Sequence, residues 1–371
     1  MVEDSVHRVL MTTDTVGGVW TFALDLAGCL AREHGVEVLL ATLGGLPSEG
    51  QRAEAARNPG LRIAAGEYRL EWMEDPWLDV AQSREWLLRL EREFRPDVIH
   101  LNSYGQGVCP FQAATVLTAH SCVLSWWLAV KGEAAPARWN RYREEVKAAF
   151  RGVDVVTVPS HAMGRSLSLY DVPDGAWQVI PNGRPAGAYR RGEKEPFVFT
   201  AGRLWDEAKN TAGVARIAGS LSWPVYAAGE SRPPAGSTSD PVEFGGCRMT
   251  GWLSASEMRD WYARAAIYAL PARYEPFGLS VLEAALSGCA LVLGDIESLR
   301  EIWGDSAVFV DPADAGALRE ALESLIADPA RREEYARCGY ERALQYDSSR
   351  TAAQYFRLYE NAAMRKFACV S

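Results

Sequence analysis

The sequence predicts an α/β protein of two doubly wound parallel-sheet domains, and three observations carry that prediction. Short apolar runs of strand length alternate with helical periodicity along the whole chain. A polar, turn-rich stretch interrupts the alternation near the middle, and 371 residues exceed one ordinary core. Such alternation gives parallel strands joined by right-handed crossovers, with ligands beyond the carboxyl ends of the strands.

In the first half, strands are expected at Arg8–Met11, Val36–Thr42, Val98–Leu101, Thr115–Thr118 and Val153–Val158. A helix is expected from about Thr21 to Glu33, with further helices near 84–95, 105–112, 137–150 and 160–169. Between the first strand and first helix, Gly17-Gly18 forms a loop whose backbone can close on a phosphate or sugar. It lacks the Gly-x-Gly-x-x-Gly spacing of a dinucleotide site, and a simple tight turn is the alternative. Asn102-Ser103, His120-Ser121 and Ser160-His161 fall at strand ends. His120 closes an apolar strand where an imidazole faces the ligand side; a hydrogen-bonded structural histidine is the competing reading. His161 reads as part of a helix start at Ser160, and His100 as core. The piece from Trp126-Trp127 through Lys131 to Arg143 could line an acceptor groove, touch a membrane surface or pack on the sheet. The Trp- and Glu-rich stretch Glu67–Asp79 is equally open.

Ile180-Pro181-Asn182-Gly183 is a turn signal, and residues 185–196 read as a linker between a domain at 1–184 and one at 197–347. Strands follow at Phe197–Thr200, Pro224–Ala228, Ile267–Leu270, Ala290–Leu293 and Ala307–Val310. Helices follow at Ser254–Arg264, Glu297–Trp303, 314–326, 329–344 and 348–364, and 231–241 reads as a flexible loop. The final helix, within 348–371, is expected to brace the first domain.

The most informative stretch is Tyr268–Gly288. An apolar strand ends at Pro271, a short loop runs to Gly278, and Leu279, Leu282 and Leu286 recur at helical spacing. A helix entrance presents unpaired N–H groups and suits an anion, and Gly278 lets a ligand approach the backbone. Glu275 and Glu283 frame that entrance. A carboxylate beside a phosphate would cost about 4 kcal/mol at 4 Å and an effective dielectric of 20, so both should point past it to neutral hydroxyls. A ligand with hydroxyls at both ends and phosphates between is a nucleotide sugar; a helix with a favourable acidic first turn is the alternative. Arg203 and Lys209 flank an equivalent strand-to-helix loop and could offset a diphosphate, or merely pair with Asp206 and Glu207. Met249–Leu253 lies where a base could rest, with Trp252 nearby.

Bulk properties narrow the class. The net charge of −9, with no basic tract, argues against nucleic acid as partner. Seven cysteines without a Cys-x-x-Cys pair offer neither a zinc knuckle nor a redox motif. No cleavable leader precedes Val6–Met11 and no run of about 18 apolar residues occurs, so a reducing cytoplasm is expected.

Taken together, these residues resemble the retaining glycosyltransferases of the GT-B fold, glycosyltransferase family 4. The parts stand in the family's order: Gly17-Gly18, His120, Val158-Pro159-Ser160, Ile180-Pro181-Asn182-Gly183, Gly202-Arg203-Leu204 with Lys209, and Glu275-Pro276-Phe277-Gly278-Leu279 with Glu283. The resemblance implies two Rossmann-like domains facing a central cleft and a hexosyl transfer from a UDP- or GDP-sugar to an acceptor hydroxyl, in polysaccharide, glycolipid or glycoconjugate synthesis. It implies that Glu283 accepts ribose hydroxyls and that Glu275 holds the transferred sugar, near the amides of Phe277, Gly278 and Leu279. Arg203 and Lys209 would neutralise the diphosphate, Gly17-Gly18 would close over it, and His120 would sit at the far side of the sugar. Two departures stand out: Arg184-Pro185 replaces the family's Val-Asp, and Lys209 lies one residue further from Arg203. No Asp-x-Asp for a metal and no cofactor is expected. An epimerase, a phosphorylase or a non-catalytic nucleotide-sugar binder are the alternatives, and a peripheral contact with the inner membrane face is left open.

Overall fold

The computed structural model describes residues 6–231 and 244–368. The chain divides into two units. The first takes Ala134–Gly183 with the described parts of Met1–Ser125 and Ser348–Ser371; the second takes Trp126–Glu133 and Arg184–Asp347.

Within the first half of the chain the elements run β1 (Arg8–Asp14), α1 (Gly18–His34), β2 (Glu37–Leu43), α2 (Glu49–Ala55), β3 (Leu61–Ala65), α3 (Trp77–Phe94) and β4 (Val98–Leu101). They continue β5 (Ala114–Thr118), α4 (Val123–Lys131), α5 (Asn140–Gly152), β6 (Val155–Val158), α6 (His161–Ser166) and β7 (Gln178–Val179). Seven parallel strands in the order β3-β2-β1-β4-β5-β6-β7 make the first sheet. All four residues of β4 and all five of β5 are buried, as expected where helices cover both faces of a parallel sheet.

The second unit holds β8 (Glu195–Ala201), α7 (Thr211–Ala218), β9 (Val225–Ala228), β10 (Cys247–Gly251), α8 (Ala255–Arg264), β11 (Ala265–Leu270) and α9 (Leu279–Leu286). It finishes with β12 (Ala290–Gly294), α10 (Glu297–Trp303), β13 (Val308–Val310), α11 (Ala315–Ala327) and α12 (Pro329–Ala343). Its sheet is also parallel, in the order β10-β9-β8-β11-β12-β13. Each sheet therefore has one switch point where chain order reverses, β1 beside β4 and β8 beside β11. Ligand crevices in such sheets open at those points.

The last helix, α13 (Ser348–Ala368), belongs to the first unit. Its Tyr355, Leu358 and Tyr359 are buried in one core with Phe22, Leu26 and Leu30 of α1. Beneath it runs a buried polar chain. Tyr359 Oη lies 2.6 Å from His100 Nδ1, Thr118 Oγ1 lies 2.6 Å from His100 Nε2, and Tyr355 Oη bonds Thr118 at 3.0 Å. His100 is thus a core residue, as its strand position implies.

Burial pushes the His100 imidazole down to about 3, against an ordinary value near 6.5. Between those values the unfolded chain binds the extra proton, so stability is lost as pH falls from about 6.5 towards 3. At pH 5 this residue alone should remove about 2 kcal/mol. Melting curves at pH 7.5 and 5 should show that loss on top of a similar one from His120, and His100→Asn should reduce the total by about the His100 share; equal losses in both chains would contradict the buried neutral imidazole.

Some expectations need correction. Residues 105–112 are turns, not a helix. Pro110 lacks the N–H a helix needs, and a Cβ on Gly107 would meet Ala149 Cβ at 2.6 Å. The single amphipathic piece from Trp126 to Arg143 is instead α4, a 3-10 turn at Ala137–Trp139 and the start of α5. Strand β3 and helix α2 were not anticipated. Except for residue 231, the loop expected at 231–241 lies outside the described residues.

Candidate active site

In the first unit, the ends of β1, β4 and β5 meet through hydrogen bonds. Asn102 donates its amide N–H to Thr12 Oγ1 at 2.8 Å and its side-chain Nδ2 to Thr12 O at 2.7 Å. Its Oδ1 must then accept from His120 Nε2, 2.8 Å away, which leaves Nδ1 as the unprotonated nitrogen. Burial brings His120 down to about 3, so the ring is neutral at ordinary pH, and Phe22 meets it edge-on at 4.7 Å. The loop after β1 is an Asx turn in which Asp14 Oδ1 accepts the amides of Val16 at 3.0 Å and Gly17 at 2.9 Å. The Gly17 amide is therefore engaged within the turn, and Gly18 opens α1. From the acidic stretch, Glu71 is buried and accepts the Tyr104 amide at 2.9 Å. His161 follows the N-cap Ser160, whose hydroxyl accepts from Met163 N at 3.2 Å, which is the helix-start role expected of it.

In the second unit, the loops after β8 and β11 form one charged site. Gly202, at φ 145°, turns the chain out of β8 into Arg203. Arg203 pairs with Asp206 at 2.8 Å, and Asp206 caps a 3-10 turn, Glu207–Lys209, by accepting the Ala208 amide at 3.0 Å. Burial alone would push the Asp206 carboxyl up. Arg203, then Lys209, outweigh that and hold it below the usual carboxylate range. Trp126 Nε1 also donates to Asp206, at 3.2 Å, and Lys131 pairs with Glu207 at 2.7 Å.

The extra residue before Lys209 is absorbed by this 3-10 turn, which delivers the ammonium to Glu275 Oε2. Both side chains are largely buried, at 18% and 12% exposed. Asn210, in the left-handed region at φ 53°, fixes the turn by donating to Pro271 O at 2.9 Å and Pro312 O at 2.8 Å. Ala208 O accepts from Arg273 N at 2.8 Å, which ties the two loops together. Lys209 thus pairs with Glu275 rather than with the neighbouring Glu207.

At the entrance of α9, Gly278 sits at φ 92°, a conformation costly for other residues. The Phe277 amide points back to Glu275 Oε1 at 3.4 Å, so the first helix-entrance donors are those of Gly278 and Leu279. Ser298 Oγ holds Glu275 O at 2.6 Å. Glu283, one turn into α9, pairs with Arg184 at 3.0 Å. Trp252, just past β10, is 71% exposed. Of the residues singled out in the second half, the structure brings together Arg203, Lys209, Glu275, Phe277, Gly278 and Leu279. Asp206, Asn210, Ser298 and Arg184 complete the arrangement and were not singled out as site residues.

Among the described residues no cluster of three or more His, Cys, Asp or Glu could hold a metal, and no helix is long and apolar enough to cross a membrane. The six described cysteines are free thiols. A hollow of about 300 Å³, lined by Arg300, Asp305, Phe309 and Tyr335 among others, shares no residue with the charged site.

Residues 16–186 match the family model described as Glycosyltransferase Family 4, and residues 195–328 match that of Glycosyl transferases group 1. Among curated relatives, a glycogen synthase of Mycobacterium tuberculosis is 39% identical over 97 residues, covering 26% of this chain and 23% of that protein. An alpha-maltose-1-phosphate synthase of the same species is 34% identical over 101 residues, covering 25% and 26%. The chain thus spans about a quarter of the length of these relatives. Among solved structures, sucrose-phosphate synthase from Thermosynechococcus elongatus superimposes with a TM-score of 0.78 at 19% identity, over 98% of this chain and 100% of that one. Anabaena HepE in complex with UDP and glucose does so with 0.73 at 15% identity, over 94% and 98%.

Proposed function

We propose that this chain, which belongs to glycosyltransferase family 4 and has its GT-B fold, moves a hexosyl group from a nucleoside-diphosphate sugar to an acceptor hydroxyl with retention at the anomeric carbon. The observation that carries this reading is the Lys209–Glu275 pair at the entrance of α9. A cation and a carboxylate held together there can be parted by one ligand, the ammonium going to a diphosphate and the carboxylate to sugar hydroxyls. Arg203, 42% exposed on its side chain, supplies a second cation, and the Gly278 and Leu279 amides supply neutral donors.

In the proposed reaction the bond from the anomeric carbon to the diphosphate oxygen breaks through an oxocarbenium-like state. The acceptor oxygen bonds the same face, and the departing phosphate takes its proton. Arg203 and Lys209 stabilise the charge that grows on the diphosphate. Glu283 is assigned the ribose hydroxyls and Trp252 the base. The second unit is the donor side in this reading and the first the acceptor side, where Gly17, Gly18 and the neutral His120 lie at strand ends. The proposed setting is the cytoplasm or the inner face of its membrane, and the acceptor a sugar, glycolipid or small molecule.

UDP- and GDP-sugars, UDP and GDP should each be tested for a thermal shift, since a ligand at 100 times its Kd adds about 2.7 kcal/mol. A shift with a nucleotide sugar, followed by release of nucleoside diphosphate and transfer to a hydroxyl acceptor, is the expected result. Dependence on free phosphate would indicate a phosphorylase. Exchange at C2 without acceptor would indicate an epimerase, and binding without turnover a non-catalytic protein. No shift with any of them would sink the reading.

A further inference from the structure

We propose that Arg184 is a positioning residue for nucleotide recognition, fixing Glu283 so that its carboxylate reads the ribose in one orientation. The inference rests on the reading of Glu283 as the acceptor for ribose hydroxyls. Arg184 is the residue at which the turn after Asn182-Gly183 departs from the family pattern, and its place in the second unit gives the departure a purpose.

The backbone of Arg184 is pinned. Its amide donates to Tyr346 O at 3.0 Å, and it forms a bridge with Asp347. The side chain is pinned too, with Nε donating to Tyr189 Oη at 2.8 Å and the guanidinium carbon 5.6 Å from the Tyr189 ring centre. From that seat Nε lies 3.0 Å from Glu283 Oε1, with only 11% of the Arg184 side chain and 16% of the Glu283 side chain exposed. A carboxylate this enclosed needs a partner to stay stationary, because an unpaired buried charge is costly. Arg184 supplies it through one oxygen, and Oε2 has no protein partner among the described residues. A carboxylate with one oxygen tethered presents the other in a fixed direction, which suits reading a hydroxyl whose position is itself fixed by the sugar ring. The one Nε hydrogen goes to Tyr189 Oη, so Glu283 is held by the charge of a guanidinium seated on Tyr189; lysine has no donor at that position and cannot take that seat.

The alternative is that the pair merely staples the turn at Arg184 to α9. The two roles separate by measuring affinity for UDP, GDP and their 2′-deoxy counterparts in the parent, Arg184→Lys, Arg184→Ala and Glu283→Gln, alongside melting temperature. For whichever nucleotide binds, the parent should prefer the ribose form by about tenfold, the worth of one charged hydrogen bond. Arg184→Lys, which keeps the cation and should stay folded where alanine does not, should lose most of that preference. Its donor KM should rise while kcat changes little. Preference retained in Arg184→Lys but lost in Glu283→Gln overturns the role of Arg184 alone, whatever the melting temperature does. Preference absent in the parent, or retained in Glu283→Gln, overturns the ribose reading and this inference with it.

Discussion

Replacing Lys209 with alanine is expected to slow the proposed hexosyl transfer by about a hundredfold or more, because in that reaction it removes the cation assigned to the charge growing on the leaving group. The substitution acts twice. In the proposed reaction it takes the positive charge from the diphosphate, and it leaves the Glu275 carboxylate, only 12% exposed, without its partner. The two effects separate by experiment. Glu275→Gln removes the stranded charge, so the double variant should regain thermal stability relative to Lys209→Ala and none of its rate. Effects on one shared pair should also fail to add. Arg203→Ala should slow transfer comparably with a smaller stability loss, since Asp206 keeps its bonds from the Ala208 amide and Trp126 Nε1. A Lys209→Ala enzyme that transfers sugar at the parent rate would remove the cation from the mechanism.

The largest stability effect is expected at Gly229. It lies just beyond β9 at φ 128°, and a Cβ there would meet Gly202 O at 1.9 Å and Gly202 C at 3.0 Å. Backbone cannot yield as a flexible side chain does. Gly229→Ala therefore combines left-handed strain with overpacking, and on the order of 3 kcal/mol should be lost. For a unit of this size that corresponds to a fall of roughly 6–12 °C in Tm. The displaced backbone leads directly into Arg203, and the Gly229 amide also bonds Gly251 O at 2.9 Å, next to Trp252. Nucleotide binding should weaken in the same variant. Gly187→Ala, where an added Cβ meets nothing within 4 Å, is the control. Equal melting of the two variants would show that the loops after β8 and β9 are not packed backbone to backbone.

The strand-loop-helix at Tyr268–Gly288 was legible because Pro271 and Gly278 punctuate it and its apolar spacing switches between them. The cationic loop was legible as residues but not as contacts. Lys209 and Glu275 are 66 positions apart, and only the pairing of β8 with β11 brings their loops together. Local charge pattern pointed to Glu207 instead, which Lys131 takes. Arg184 was visible only as a departure from a family pattern, since its meeting with Glu283 is set by tertiary packing. Strand β3 escaped because Leu61–Ala65 is an edge strand with no fully buried residue, so it carries no apolar run. The stretch 105–112 misled in the other direction, its Val108 and Phe111 imitating helical spacing across a segment that the structure folds into turns and bends.

The path of the chain through the first unit bears on how it is made. Residues 184–347 are continuous and supply all of the second sheet, so that sheet can form as soon as they leave the ribosome. The first unit must wait for Tyr355, Leu358 and Tyr359, each of which contributes about 1.5–3 kcal/mol when buried. Their sum rivals the entire net stability of an ordinary domain. A nascent chain halted after Asp347 would carry a finished C-terminal sheet, while α1 in the first unit would still expose the apolar surface that Tyr355, Leu358 and Tyr359 cover.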